Sequence, residues 1–186
     1  MSTVAGLVLA AGAGRRFGGP KALVMFDGER LVDRAVRLLH EGGCAPVYVV
    51  AGAAHLGGVH HAVVVTNPEW GSGMGSSLRA GLKAAVGAGA VVILPVDTPW
   101  IGAESVRRLI AARGDGATVA VATYGGKRGH PVLIGSTHWA AAAAAAVGDT
   151  GARAFLAAHP DLVTEVPCDG TGRPDDVDTP DALPSA

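Results

Sequence analysis

An apolar run, Val4–Leu9, leads without a break into Ala10-Ala11-Gly12-Ala13-Gly14-Arg15-Arg16-Phe17-Gly18-Gly19-Pro20-Lys21. A buried strand that ends in a glycine-rich loop constrains the fold strongly, because the loop must close over something that tolerates bare backbone. Glycines let the main chain approach a ligand, and successive N–H groups in such a loop form an anion-binding concavity. Arg15, Arg16 and Lys21 add fixed positive charge suited to phosphate oxygens. A polyphosphate is the occupant this chemistry points to.

Two familiar phosphate loops can be tested against the spacing. A dinucleotide fingerprint needs G-x-G-x-x-G, but Phe17 stands three places after Gly14 and the next glycine is Gly18. The looser G-x-G-x-x-x-G spacing is present, so that reading is weakened and stays open. A P-loop needs glycine directly before lysine and a hydroxyl directly after it. Here Pro20 precedes Lys21 and Ala22 follows, so the P-loop reading fails.

Beyond the loop, β-branched strand segments alternate with helical ones. Strands are read at Val47–Ala51, Val63–Thr66, Val91–Val96, Thr118–Thr123, Val132–Ile134 and Leu162–Val166, with a short extended piece at Ala22–Phe26. Helices are read at Leu31–Glu41, Ser76–Val86, Ala103–Ala112, Ser136–Val147 and Ala152–Ala158, and loops at Gly52–Gly58 and Gly125–Gly129. This alternation predicts an α/β layer architecture with a mainly parallel sheet, in one domain over residues 1–186. The alanine run Ala140–Ala146 needs no explanation beyond helix propensity.

Ligands of open α/β sheets bind beyond the carboxyl ends of the strands. Val91-Val92-Ile93-Leu94-Pro95-Val96 delivers Asp97 to such an end, where it either caps the following helix or binds a metal. Near the carboxy terminus, Asp175-Asp176-Val177-Asp178-Thr179-Pro180-Asp181 is either an acidic solvated segment that starts a last helical turn or a second carboxylate source. Alternating backbone would face Asp176 and Asp178 the same way. A second glycine-rich loop, Gly71-Ser72-Gly73-Met74-Gly75-Ser76-Ser77, opens a helix whose first N–H groups could face a nucleotide, while Ser76 and Ser77 also read as ordinary caps. His130 and Arg153 sit in further loop-like segments; His130 also reads as a neutral loop residue satisfied by backbone contacts, and Arg153 as an ordinary surface arginine. Trp70, Trp100 and Trp139 read as packing residues.

The first loop resembles the nucleotidyltransferase signature L-x-A-G-x-G-x-R-(M/F)-G-x-x-K, with Leu9, Ala11, Gly12, Gly14, Arg16, Phe17, Gly18 and Lys21 in place. Within that superfamily the chain is most similar to the molybdenum-cofactor nucleotidyltransferases, particularly the molybdopterin cytidylyltransferase branch. The resemblance implies a single-domain, three-layer α/β/α fold with a Rossmann-like, mostly parallel sheet of the GT-A-like type. It implies nucleotide binding by Leu9, Ala10, Ala11, Gly12, Gly14, Arg16, Lys21, Gly71, Ser76 and Ser77, with Arg16, Lys21 and Asp97 catalytic. It places Mg²⁺ (or Mn²⁺) on Asp97 with Asp176 or Asp178, Asp176 being slightly favoured. His130, in a G-x-P-V-like strand, and Arg153, in a G-D-x-G-A-R-like loop, would face the acceptor. The implied substrates are CTP and a phosphorylated pterin, and a molybdoenzyme or its chaperone would receive the product. The guanylyl branch generally has glycine where this chain has Ala11, and a methyl there would crowd a purine. Ala182 departs from the family's D-x-D-T-P-x-D-L element at a position that resembles a cap.

A formal net charge of -1 over 186 residues leaves no electrostatic footprint for nucleic acid. No apolar run approaches the ~20 residues that span a bilayer. The start, Met1-Ser2-Thr3-Val4, lacks the basic flank of a signal peptide, and Cys44 and Cys168 read as separate reduced thiols. The expectation is a cytoplasmic protein that engages neither membrane nor nucleic acid.

Overall fold

β1 (Val4–Ala10) organises the molecule, because its alternating side chains feed two separate cores. Val8 and Ala10 point into one apolar cluster, and Ala5, Leu7 and Leu9 into the other. The first cluster is closed by α1 (Leu31–Glu41) and α3 (Ala103–Gly114). The second is closed by α2 (Met74–Ala84), α4 (Trp139–Ala145) and α5 (Arg153–Ala158). The result is the three-layer α/β/α arrangement expected. These relations come from a computed structural model that describes residues 3–183, so the first two residues of the segment read for a signal lie outside them.

The sheet is completed by β4 (Val47–Ala51), β5 (Val63–Thr66), β6 (Ala90–Pro95), β7 (Val119–Tyr124), β8 (Lys127–Gly135) and β9 (Val163–Pro167). A separate antiparallel ribbon pairs β2 (Met25–Phe26) with β3 (Glu29–Arg30). Across the sheet the order is β5-β4-β1-β6-β8-β7-β9. Only β8 runs against its neighbours. Central strands buried on both faces read as unbroken apolar runs, which is why Ala90–Pro95 is Ala-Val-Val-Ile-Leu-Pro. From β1 the chain winds outward to β4 and β5, then returns to lay β6 on the other side of β1. Loops leaving β1 and β6 therefore part in opposite directions, and a crevice opens at their carboxyl ends.

Three local departures from the sequence reading have physical causes. β8 is far longer than Val132–Ile134 and starts inside the expected loop. It forms a hairpin with β7 through Gly125 and Gly126, whose φ of 56° and 74° suit the tight turn that matches strand twist. The alanine-rich helix covers only Trp139–Ala145, after a 3₁₀ turn at Ser136–His138. It stops because the chain turns at Ala146, whose carbonyl accepts a hydrogen bond from the Arg79 guanidinium of α2. Finally, α2 begins at Met74 rather than Ser76, with Gly73 (φ 112°) at its N-cap.

Leu7 is fully buried between β1 and α2, whereas Leu23 is 38% exposed. Leu7→Ala is expected to cost about 2–5 kcal/mol in urea unfolding, and Leu23→Ala under about 0.5 kcal/mol. Similar losses for both would contradict the packing described.

Candidate functional site

The loop after β1 is wound tightly on Gly14. Its carbonyl accepts hydrogen bonds from the amides of Phe17 (2.9 Å), Gly18 (2.9 Å) and Gly19 (3.2 Å). Gly14 has φ 60°, and a Cβ there would lie 1.8 Å from the Gly19 carbonyl oxygen, so no other residue fits. The anion concavity is accordingly smaller than the glycine count suggests, because three of its amides turn inward. The amides of residues 12–16 donate to no protein acceptor among the described residues and are left for a ligand.

Winding the loop returns Lys21 to the end of β6. Its Nζ donates to Asp97 Oδ2 and to Asp178 Oδ1, each at 3.0 Å. Burial works to lower the Lys21 pKa, but the two carboxylates together outweigh it and raise the value, so the ammonium stays charged. The same hydrogen bond and charge hold the Asp178 carboxyl below its usual range. Arg16 reaches Asp178 at 3.5 Å across open solvent, an exposed pair that adds little.

Asp178 arrives on a strap that crosses the crevice from the carboxy-terminal side. The strap is moored at Ile101 and Gly172 by an isolated bridge, by the Arg173 amide on the Trp100 carbonyl (3.2 Å), and by the Arg173 guanidinium 4.2 Å above the Trp100 ring. Val177 then buries its side chain completely and donates its amide to the Asp97 carbonyl at 2.8 Å. With Val177 turned inward, both flanking aspartates face the crevice, and one carboxylate oxygen each from Asp97, Asp176 and Asp178 lies within 4.8 Å of the others. Asp176 and Asp178, the two alternatives read from the sequence, both reach the cluster. Hard oxygen donors in this number suit Mg²⁺ or Mn²⁺. The segment's last element is a 3₁₀ turn, Pro180–Ala182, with Thr179 at its N-cap but no side-chain cap bond.

A pocket of about 330 Å³ lies on one side of the loop, lined by Leu9, Ala11, Gly12, Gly14, Gly71 and Ser77 among others. It continues into a groove of about 270 Å³ that reaches Arg16, Lys21 and Asp97. Ala10 faces away, into the opposite core. Ser76 also turns away: its hydroxyl lies 2.9 Å from the Gly73 carbonyl and 3.0 Å from that of Glu69, and it accepts from the Asn67 amide at 2.8 Å. Asn67, buried and absent from the sequence reading, also donates to Ser77 Oγ at 3.1 Å and so orients the pocket's serine. Trp70 and Asp149 line the pocket as well, although neither was read as a ligand residue. The α2 N-terminus borders the pocket through Gly73, Met74 and Ser77, with its Met74 amide already donated to Asp149 Oδ1 at 3.3 Å.

A larger cleft, about 650 Å³, opens beyond Asp97 and holds His130 and Arg153 together with Asp176. The structure thus brings these two residues, from distant segments, to one wall. Burial pushes the His130 pKa down to about 4, against the pull of Asp97 and Asp176 and with help from Arg153. At neutral pH the imidazole is therefore uncharged, and the cleft's cationic side chains are Arg153, Lys127 and Arg128.

Residues 6–163 match the family described as the MobA-like NTP transferase domain. A nicotine blue oxidoreductase of Paenarthrobacter nicotinovorans is 37% identical over 95% of this chain and 92% of its own. A probable molybdenum cofactor guanylyltransferase of Opitutus terrae is 40% identical over 63% of this chain and 60% of its own. In structure, Rv0371c of Mycobacterium tuberculosis superposes with a TM-score of 0.83 at 26% identity, covering 97% of this chain and 95% of that one, and the same protein is known in complex with manganese.

A histidine whose pKa is about 4 when folded and ~6.5 when unfolded binds fewer protons in the native state between those values. Its contribution to stability is therefore whole above about pH 6.5 and falls on acidification toward pH 4. Urea unfolding of the wild type should lose more stability between pH 6.5 and 4.5 than that of His130→Gln. Parallel losses in the two proteins would contradict the neutral, buried imidazole.

Proposed function

Because the chain belongs to the MobA-like NTP transferase family, we propose that this nucleotidyltransferase moves CMP from CTP to the terminal phosphate of a phosphorylated pterin, molybdopterin or its molybdenum form. The observation that carries the reading is the convergence of Lys21 and three aspartates beside a glycine loop with unpartnered amides. A triphosphate in the groove would meet the amides of residues 12–16, Arg16 and Lys21. These groups neutralise charge as it shifts toward the leaving pyrophosphate. An acceptor phosphate oxygen forms the new bond to the α-phosphorus while the bond from that phosphorus to the α–β bridging oxygen breaks. An ionised phosphate needs no general base, so the transfer does not call on His130 for proton removal. Asp97, Asp176 and Asp178 would hold Mg²⁺ or Mn²⁺, which when bound withdraws charge from phosphate oxygens. Arg153 would pair with the acceptor's phosphate from the far wall of the cleft.

Cytosine is favoured by the Ala11 methyl in the pocket wall, where the guanylyl branch generally has glycine. Relatives named guanylyltransferases make GTP the competing donor. No helix among the described residues is long and apolar enough to cross a membrane, consistent with an enzyme working on dissolved substrates. Its product would pass to a molybdoenzyme or to that enzyme's chaperone.

A second reading is supported by the oxidoreductase that matches nearly the full chain. A dinucleotide-dependent hydride transfer has no use for three converging carboxylates, so the metal-assisted transfer is preferred. With Mg²⁺ and molybdopterin cofactor, pyrophosphate release should be faster from CTP than from GTP, and NADPH should not be oxidised. Asp97→Ala should lower turnover by ~100-fold or more with the fold intact, given the size of such charge-stabilising effects. Faster release from GTP would overturn the base assignment. Nicotinamide turnover without pyrophosphate would overturn the transferase reading, and full activity in Asp97→Ala would overturn the role of the cluster.

A further inference from the structure

The nucleotide pocket is walled mainly by apolar side chains and backbone, and its charged side chains are Arg15 at one end and Asp149 at the other. Arg15 belongs to the phosphate loop. Asp149 comes from the turn before α5, a segment whose resemblance assigns it to the acceptor side, yet it lines both the pocket and the cleft. The residue is exposed, on a turn that packs against α2. Gly148 and Asp149 sit so close to the start of α2 that a Cβ on Gly73 would lie 2.4 Å from the Gly148 carbonyl carbon and 2.8 Å from Asp149 Oδ1. The Met74 amide takes Oδ1 at 3.3 Å, and Oδ2 has no protein partner among the described residues. An ionised carboxylate accepts hydrogen bonds and donates none.

We propose that Asp149 reads the base, accepting a hydrogen bond from an exocyclic amino group and rejecting a base with an oxygen or nothing in that place. This rests on the nucleotidyltransferase reading and deepens it. Cytosine presents an amino group where uracil presents a carbonyl, and guanine carries one that hypoxanthine lacks. A carbonyl facing Oδ2 sets two acceptors together with no proton between them. A missing amino group leaves the carboxylate desolvated and unpaired. Sites built around such a hydrogen bond discriminate far better than sites built on shape alone. Asp149 thereby selects the amino-bearing member of each pair, and Ala11 decides between pyrimidine and purine.

Equilibrium titration of the full chain with Mg²⁺ and CTP, UTP, GTP or ITP tests this directly. The wild type should prefer CTP to UTP, or GTP to ITP, by about 10-fold or more. Whichever pair binds tells the pyrimidine source of the amino group from the purine one. Asp149→Asn keeps a carbonyl oxygen for the Met74 amide but puts a donor where Oδ2 stood. It should therefore leave the melting temperature within ~2 °C and shrink or invert the preference by about 10-fold. A preference that survives in Asp149→Asn overturns this assignment alone. So does an equal loss of affinity for both members of a pair, which would place Asp149 on the ribose. Wild-type protein that binds none of the four overturns the transferase reading and this proposal together.

Discussion

The structure depends on one ammonium group held between two carboxylates. Asp97 comes from the middle of the chain and Asp178 from its carboxy-terminal segment, and Asp176 joins them within a few ångströms. Like charges gathered at that range repel, and the penalty grows as water is excluded. Lys21 offsets it with two 3.0 Å hydrogen bonds from a half-buried position. The glycine loop is consequently more than a phosphate cradle. Its tight winding on Gly14 sets where Lys21 lies, and Lys21 in turn allows the acidic strap to close.

That arrangement gives Lys21 two alternative sets of partners. Without nucleotide it neutralises aspartates. In the proposed reaction, a metal ion on the carboxylates and a triphosphate in the groove would offer the ammonium phosphate oxygens instead. In the first setting the two carboxylates raise its pKa against the effect of burial.

Much of this was legible in the residues because the relevant signals are local. The Val4–Ala10 strand, the α1 helix at Leu31–Glu41 and the Val47–Ala51 and Val63–Thr66 strands fall where hydrophobic period and turn residues place them. Lys21, Asp97, Asp176 and Asp178 stood out because charge at a strand end or beside a glycine loop is visible in one dimension. What escaped was set by contacts between distant segments. Nothing in the sequence tells that Gly14 turns its carbonyl onto three amides, or that Asn67 occupies the Ser76 hydroxyl and so removes it from the pocket. The length of β8 was hidden by its polar start, Lys127-Arg128-Gly129-His130, although the Gly125-Gly126 pair was the signal for a hairpin. His130 was read only as acceptor-facing, and the burial that lowers its pKa is a tertiary property.

The Val177 amide on the Asp97 carbonyl has a temporal consequence. Every strand of the sheet is complete by Pro167, and each helix that covers it precedes that point. During synthesis, domains consolidate from the amino end. A nascent molecule can thus assemble its layers and both apolar interiors while its chemistry is still missing two aspartates. The three-carboxylate cluster is complete only when the segment after Pro167 has been made and lies down over Trp100, so a polypeptide ended before it would lack two of the three carboxylates.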